Sequence, residues 1–264
     1  MQLKNKTAVI YGASGAIGSA VAREFAQQGA KVFLTGKNKK ELDELAQEII
    51  AKGGWADASQ VDALDLDAVN SHLKALVEKE GKLDISFNAI GIHQTGVQGI
   101  PLVELTPDGF MNPVTAYSKA NFITATAAAK HMAAKKAGVI LTLTAVPSRL
   151  AAPLTGGMGP SWAGIESLTR TLAAEMGAHG IRVICLRADG MPETETITTV
   201  FGVHAKGAGM PSHKEFQGLM ESFTLLKRLP KLSEVADTAV FLASDKASAI
   251  TGTTINVTCG SVVD

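Results

Sequence analysis

Three glycines, Gly12, Gly15 and Gly18, follow an apolar run, Thr7 to Tyr11, and open a stretch, Ala16 to Gln28, whose Ile17, Val21 and Phe25 recur at helical spacing. A strand that turns sharply into a helix through such residues leaves few folds open. Glycine at the turn lets the backbone reverse and approach a diphosphate closely, and the helix then offers unpaired N–H groups and the positive end of its dipole to that anion. Lys31 to Thr35 reads as the next strand, which completes the βαβ unit that a dinucleotide-binding turn requires. Gly12, Ser14, Gly15, Ile17 and Gly18 are the candidate phosphate-side contacts.

The rest of the chain keeps the same rhythm. Leu83 to Ala89, Val139 to Thr144, Arg182 to Leu186 and Thr253 to Val257 are short apolar or β-branched runs of the kind found in buried parallel strands. Helical patterns lie between them at Lys39 to Lys52, Leu66 to Glu80, Ala116 to Lys136, Ser161 to His179 and Ser233 to Ser244. This alternation predicts an α/β fold with a doubly wound parallel sheet in one domain and a ligand crevice at the strands' carboxyl ends. Two stretches rich in Gly, Pro and Thr break the rhythm, Ile90 to Pro107 and Arg187 to Pro211. Both are expected to overhang the crevice, the second as a mobile substrate lid.

Composition narrows the partners. With 264 residues and 46% hydrophobic content the chain is large enough for one substantial core. Its 25 Lys and Arg balance 25 Asp and Glu, and no basic stripe suggests nucleic acid or an anionic membrane. The two cysteines, Cys185 and Cys259, are isolated among apolar neighbours and read as inert core thiols, and no cluster suggests a metal. Met1 to Lys6 runs directly into the first strand without a leader pattern, so a soluble, cytoplasmic protein is expected.

Several segments together resemble the short-chain dehydrogenase/reductase family. Asp62, followed by Ala63, matches the family's adenine-side aspartate; Asn88, Ala89, Ile90 and Gly91 match a degraded Asn-Asn-Ala-Gly segment. Leu168 to Glu175, Gly180 to Val183 and the run from Arg228 through Gly252 follow the family's downstream pattern. The resemblance implies a Rossmann-like fold, a nicotinamide cofactor and a homo-oligomer, dimer or tetramer, paired through helices near Ala116 to Lys136 and Ser161 to His179. After the second strand stand Gly36, Lys37, Asn38 and Lys39, with no carboxylate before Glu41. A cation at Lys37 suits the 2′-phosphate of NADP, where an acidic residue would bond the ribose of NAD, so NADP(H) is the expected cofactor.

The chemistry departs from the pattern. The resemblance places Ala145 at the family's serine, Met158 at its tyrosine, Trp162 at its lysine and Tyr117 at its asparagine. The chain's tyrosines are Tyr11 and Tyr117, and no lysine lies between Lys136 and Lys206, so a Tyr-x-x-x-Lys pair cannot form in that segment. Methionine donates no proton and indole N–H is barely acidic. The polar relay becomes an apolar wall formed by Ala145, Met158 and Trp162. Tyr117, as a phenol on the crevice floor, and His93, at the end of the fourth strand, are the candidate catalytic groups. Lys119, two residues beyond Tyr117, is expected on a solvated face. Ser148 and Arg149, after the fifth strand, are candidates for an anionic or carbonyl group. Arg187 and Asp189 stand where the family lines the nicotinamide, Asp189 reading best as a turn residue, and Thr194 is expected to cover the cofactor. Three readings stay open: a divergent NADP(H)-dependent oxidoreductase acting on a small carbonyl, imine or enone, a non-redox enzyme on the same fold (lyase, isomerase or cyclase), and a catalytically silent NADP-binding protein.

Overall fold

In the computed structural model, which describes residues 1–94 and 96–263, seven strands form one parallel sheet. They are β1 (Thr7–Tyr11), β2 (Lys31–Gly36), β3 (Trp55–Gln60), β4 (Ile85–Asn88), β5 (Gly138–Ala145), β6 (Ile181–Ala188) and β7 (Thr253–Val257), in the order β3-β2-β1-β4-β5-β6-β7. The order reverses between β1 and β4. That switch point is where the carboxyl ends of an open α/β sheet leave a crevice.

Helices cover both faces, as parallel strands require. On one face α1 (Ala16–Gln27), α2 (Lys39–Ala51) and α8 (Leu232–Ala243) bury Val21, Phe25, Leu42, Ile49, Val235 and Val240 against Ile10, Leu34 and Leu186 of the sheet. On the other, α3 (Leu66–Glu80), α4 (Pro107–Lys135) and α5 (Met158–Met176) bury Leu73, Ile123, Met132 and Leu172 against Val9, Ile140 and Val183. Burying a Leu, Ile or Phe side chain contributes about 1.5–3 kcal/mol, so these two layers hold the sheet. Among the described residues no helix is long and apolar enough to cross a membrane, and no cluster of His, Cys, Asp and Glu could hold a metal ion.

Two expected irregular stretches differ from the structure. Helix α4 begins at Pro107 rather than Ala116. Proline at the first helical position sacrifices only an N–H that has no partner there, and Thr106 caps the end by accepting from the Gly109 N–H. Pro113, which reads as a breaker in the sequence, is buried inside α4, where Gly157 leaves space beside its ring. The stretch 187–211 is largely helical: β6 runs on to Ala188, and α6 (Glu195–Gly207) follows, then α7 (His213–Phe223). Thr194 starts α6, its side chain accepting from the Ile197 N–H. Cys185 is buried and its thiol is pushed up to about 11 by burial. Cys259 corrects the reading of both cysteines as core thiols: it is half-buried, in a left-handed turn at φ 53°.

Candidate active site

The glycine turn separates into two roles. A side chain at Gly12, where φ is +71°, would meet the Ala89 carbonyl at 2.7 Å, and one at Gly18 would meet the Gly12 carbonyl at 2.2 Å. Both glycines are therefore demanded by the packing of the turn itself. Gly15 is different in degree: its Cβ would meet one atom, the Gly12 carbonyl, at a tight 3.3 Å that a shift of a few tenths of an ångström relieves, and the residue is exposed at the start of α1 with no side chain capping that end. That exposed, uncapped helix start at Gly15 is what a diphosphate needs. Ala13 is tied to β2 through its N–H to the Thr35 carbonyl, which sets Ser14 beside Gly36.

One step along, the Lys37 ammonium lies 3.0 Å from the Asp62 carboxylate, so two residues read separately from the sequence meet at the ends of β2 and β3. Burial works against the charged form of Asp62, but the Leu64 N–H and Lys37 outweigh it and hold the carboxyl below its usual range. Lys119, although exposed, also acts electrostatically on Asp62 and so belongs to this end of the crevice. Ala63 is buried behind the pair. At the end of β4, Asn88 donates to the Thr124 hydroxyl at 2.8 Å and accepts from the Ile90 N–H, so it pins the chain turning out of the sheet, while Gly91 is exposed with no atom near its absent side chain.

The wall beyond is apolar. Met158 is 1% exposed and Tyr117 6%, and they cluster with Val97 and Ile165 under Ile90, Ile92 and Trp162. The Tyr117 and Trp162 rings lie 6.2 Å apart at 50°, a favourable tilted contact. Burial pushes the Tyr117 phenol up to about 12, opposed by the Ile92 backbone. Ala145 ends β5 beside Ala188 of β6. His93, by contrast, is exposed on the loop after β4, and Arg149 is exposed after β5.

Two further expectations change. Ser148 does not face outward to a ligand: its hydroxyl donates to the Glu166 carboxylate and accepts from the Arg187 Nε at 3.0 Å. Arg187 does not line the crevice either. It is 4% exposed and grips Glu166 through two bonds, Nη2 to Oε2 at 2.6 Å and Nε to Oε1 at 2.9 Å, while its Nη1 donates to Asn256 at 2.7 Å. Burial disfavours the Glu166 charge, yet Arg187, Ser148 and Thr144 together keep its carboxyl low. The partners stand 21 residues apart, so no local pattern revealed the pair. Thr194 donates to the Met191 carbonyl as well as capping α6, which commits its hydroxyl to the fold. Asp189 acts as a turn residue, accepting from the Gly190 N–H at 2.7 Å and from the Ser261 hydroxyl at 2.6 Å; burial raises its carboxyl, against those two bonds.

Comparison with known proteins agrees with this architecture. The family model described as Enoyl-(Acyl carrier protein) reductase matches residues 12–261. A Bacillus subtilis (strain 168) protein named as a probable 2,4-dienoyl-CoA reductase [(2E)-enoyl-CoA-producing] is 31% identical over 260 residues, covering 98% of this chain and 97% of its own. Among solved structures, an NAD+-bound xylitol dehydrogenase superposes with a TM-score of 0.92 at 23% identity, covering 98% of this chain and 100% of that one, and shows the shared fold. A gluconate 5-dehydrogenase from Burkholderia cenocepacia J2315, in complex with NADP and tartrate, has a TM-score of 0.86 at 25% identity, covering 99% and 98%. With the sheet order, the glycine turn and a match over nearly its whole length, this chain belongs to the short-chain dehydrogenase/reductase family of oxidoreductases.

Proposed function

We propose that this chain is an NADP(H)-dependent oxidoreductase of divergent type, which works without the serine, tyrosine, lysine and asparagine set on a small substrate that is already polarised. The observation that carries the reading is the exposed, uncapped start of α1 at Gly15 followed by the Lys37 and Asp62 pair. The cofactor would supply or accept a hydride. For its part the chain contributes the uncapped N–H groups of α1 toward the diphosphate, and Lys37, its ammonium 70% exposed on the side chain, toward the 2′-phosphate. The printed names of relatives support either nicotinamide nucleotide, one structure holding NADP and another NAD; Lys37 weighs for the first.

The wall weighs on the substrate class. A general acid placed at a carbonyl oxygen contributes roughly a hundred- to ten-thousand-fold in rate, and Met158 and Trp162 cannot act as one. A conjugated alkene or an iminium needs less help, because its acceptor atom is electron-poor before hydride arrives. The relative named for a dienoyl thioester supports an enone over a plain ketone. Tyr117 alone in this cluster carries an ordinary dissociable proton, and as a neutral phenol it is the first candidate donor to the product carbanion or nitrogen; His93, free on its loop, is the second. The outer face of α4, where Phe122 is 56% exposed, is where a second copy would pack in a cytoplasmic homo-oligomer.

A second reading, a catalytically silent NADP-binding protein, is favoured by the burial of Met158 and Tyr117, which leaves little polar surface to work with. Separate titrations with NADPH and NADH, followed by turnover against aldehydes, ketones, enones and imines, distinguish the two. The proposal expects tight NADPH binding and turnover of enones or imines. Tight binding with no turnover of any class, unchanged by Tyr117→Phe, overturns it in favour of the silent protein.

A further inference from the structure

Helix α6 and the loop after β4 are joined by buried polar groups that neither the cofactor cradle nor the apolar wall uses. His204, 7% exposed on α6, lies with Nε2 at 3.0 Å from Gln98 Oε1. Gln98, also 7% exposed, donates from Nε2 to Gln94 Oε1 at 2.5 Å, and Gln94 donates in turn to the Ile92 carbonyl at 2.8 Å. Because the Gln98 amide nitrogen is already donating to Gln94, its oxygen must accept from His204, which fixes the histidine as the Nε2–H tautomer. Ile92 in turn packs against the cluster that holds Tyr117. Five residues thus connect the lid to the wall in one line.

Packing follows the same seam. A side chain at Gly99 would strike Val203 of α6 at 3.0 Å, and one at Gly207 would strike Leu154 at 2.6 Å and approach the Gly99 carbonyl at 3.2 Å, so α6 is seated in a glycine notch on this loop. Val97, next to Gln98 in the chain, is 2% exposed and belongs to the wall cluster with Tyr117 and Met158. From the far side α7 lays Phe216 against His204 at 5.5 Å and against Phe201 at 5.4 Å. A loop that bears both the latch groups and the wall groups cannot release α6 without disturbing the wall.

We propose that the His204, Gln98 and Gln94 chain is a latch that closes α6 and α7 over the apolar wall, and that breaking the bond between His204 and Gln98 is the step that opens the crevice. That the wall receives substrate rests on the reading above; the latch itself does not.

Hydrogen exchange on the cofactor-free protein tests it. His204→Phe keeps a ring against Phe216 and Gln98→Met keeps the volume, and each deletes the bond. In both variants the backbone amides of residues 195–207 should exchange about tenfold faster or more, with α1 and β1 unchanged, and the double variant should add little to either single one. Unchanged exchange in α6, additive effects in the double variant, or a parallel rise across the core overturns the latch. NADPH release measured on the same proteins should quicken with α6 opening. Should NADPH fail to bind the wild type, the cofactor reading falls while the exchange result still decides the latch.

Discussion

Replacing Gly15 and Gly18 by alanine, one at a time, should separate what the turn does for the fold from what it does for a ligand. A methyl at Gly18 lands 2.2 Å from the Gly12 carbonyl and 2.9 Å from Ala13 Cα, both backbone atoms, so α1 must move away from the turn. Overpacking of that kind costs about 1–3 kcal/mol. In a chain of this size 1 kcal/mol shifts Tm by roughly 2–4 °C, so Gly18→Ala should lower it by about 2–12 °C. A methyl at Gly15 meets one atom, the Gly12 carbonyl at a tight 3.3 Å, and its φ of −70° suits any residue, so Gly15→Ala should lower Tm by less than Gly18→Ala does. The same methyl occupies the space assigned to the diphosphate and should weaken NADPH about tenfold or more, read by fluorescence titration beside differential scanning calorimetry. If Gly15→Ala binds NADPH as the wild type does, or if Gly18→Ala melts no lower, the division of roles at this turn is wrong.

Three other outcomes follow from the geometry. Glu166→Ala strands the Arg187 guanidinium in a buried site and should cost about 3–5 kcal/mol in urea unfolding, whereas replacing both partners by apolar residues of similar volume should recover much of that loss. Lys37→Glu should invert nucleotide preference, lowering NADPH affinity about tenfold or more relative to NADH, measured by parallel titrations. The His204 ring is held below the usual histidine value by burial alone, and the side chains facing it, Gln98 and Phe216, carry no charge. Because the closed state prefers the neutral ring, the stabilisation it gives is present above the free histidine value of about 6.5 and falls as pH drops through the depressed value, so exchange in residues 195–207, corrected for intrinsic rates, should speed up at mildly acidic pH in the wild type and not in His204→Phe.

Elements with one strong period were readable from the sequence alone. Thr7–Tyr11, Leu66–Glu80 and Thr253–Val257 agree with the sequence reading at both ends, because each is bounded by turn or capping residues; Asp65, for instance, caps α3 by accepting from Asp67 and Ala68. The first turns of α4 were hidden by Pro113, whose usual meaning is a break, and α6 by the Gly, Pro and Thr around it, although the Thr194 cap three residues before Ile197 was a local signal for its start. Long-range partners were out of reach for a different reason. Nothing near Glu166 or Ser148 in the chain announces Arg187, and nothing near His204 announces Gln98, 106 residues away, since these bonds exist only once β5, β6, α6 and the loop after β4 have been brought together. The segment's lack of a Tyr-x-x-x-Lys pair was legible because no lysine lies between Lys136 and Lys206, whereas the packing of Val97 and Ile165 with Met158 and Tyr117 was not.

The central claim is that an NADP(H) site has been kept beside a wall that has no ordinary proton relay. Single-turnover oxidation of bound NADPH, followed by loss of nicotinamide absorbance after mixing with a matched enone and ketone, tests it most directly. Oxidation by the enone should be at least a hundredfold faster than by the ketone, in keeping with the missing acid. Equal rates for the two, or oxidation by the ketone alone, would contradict it.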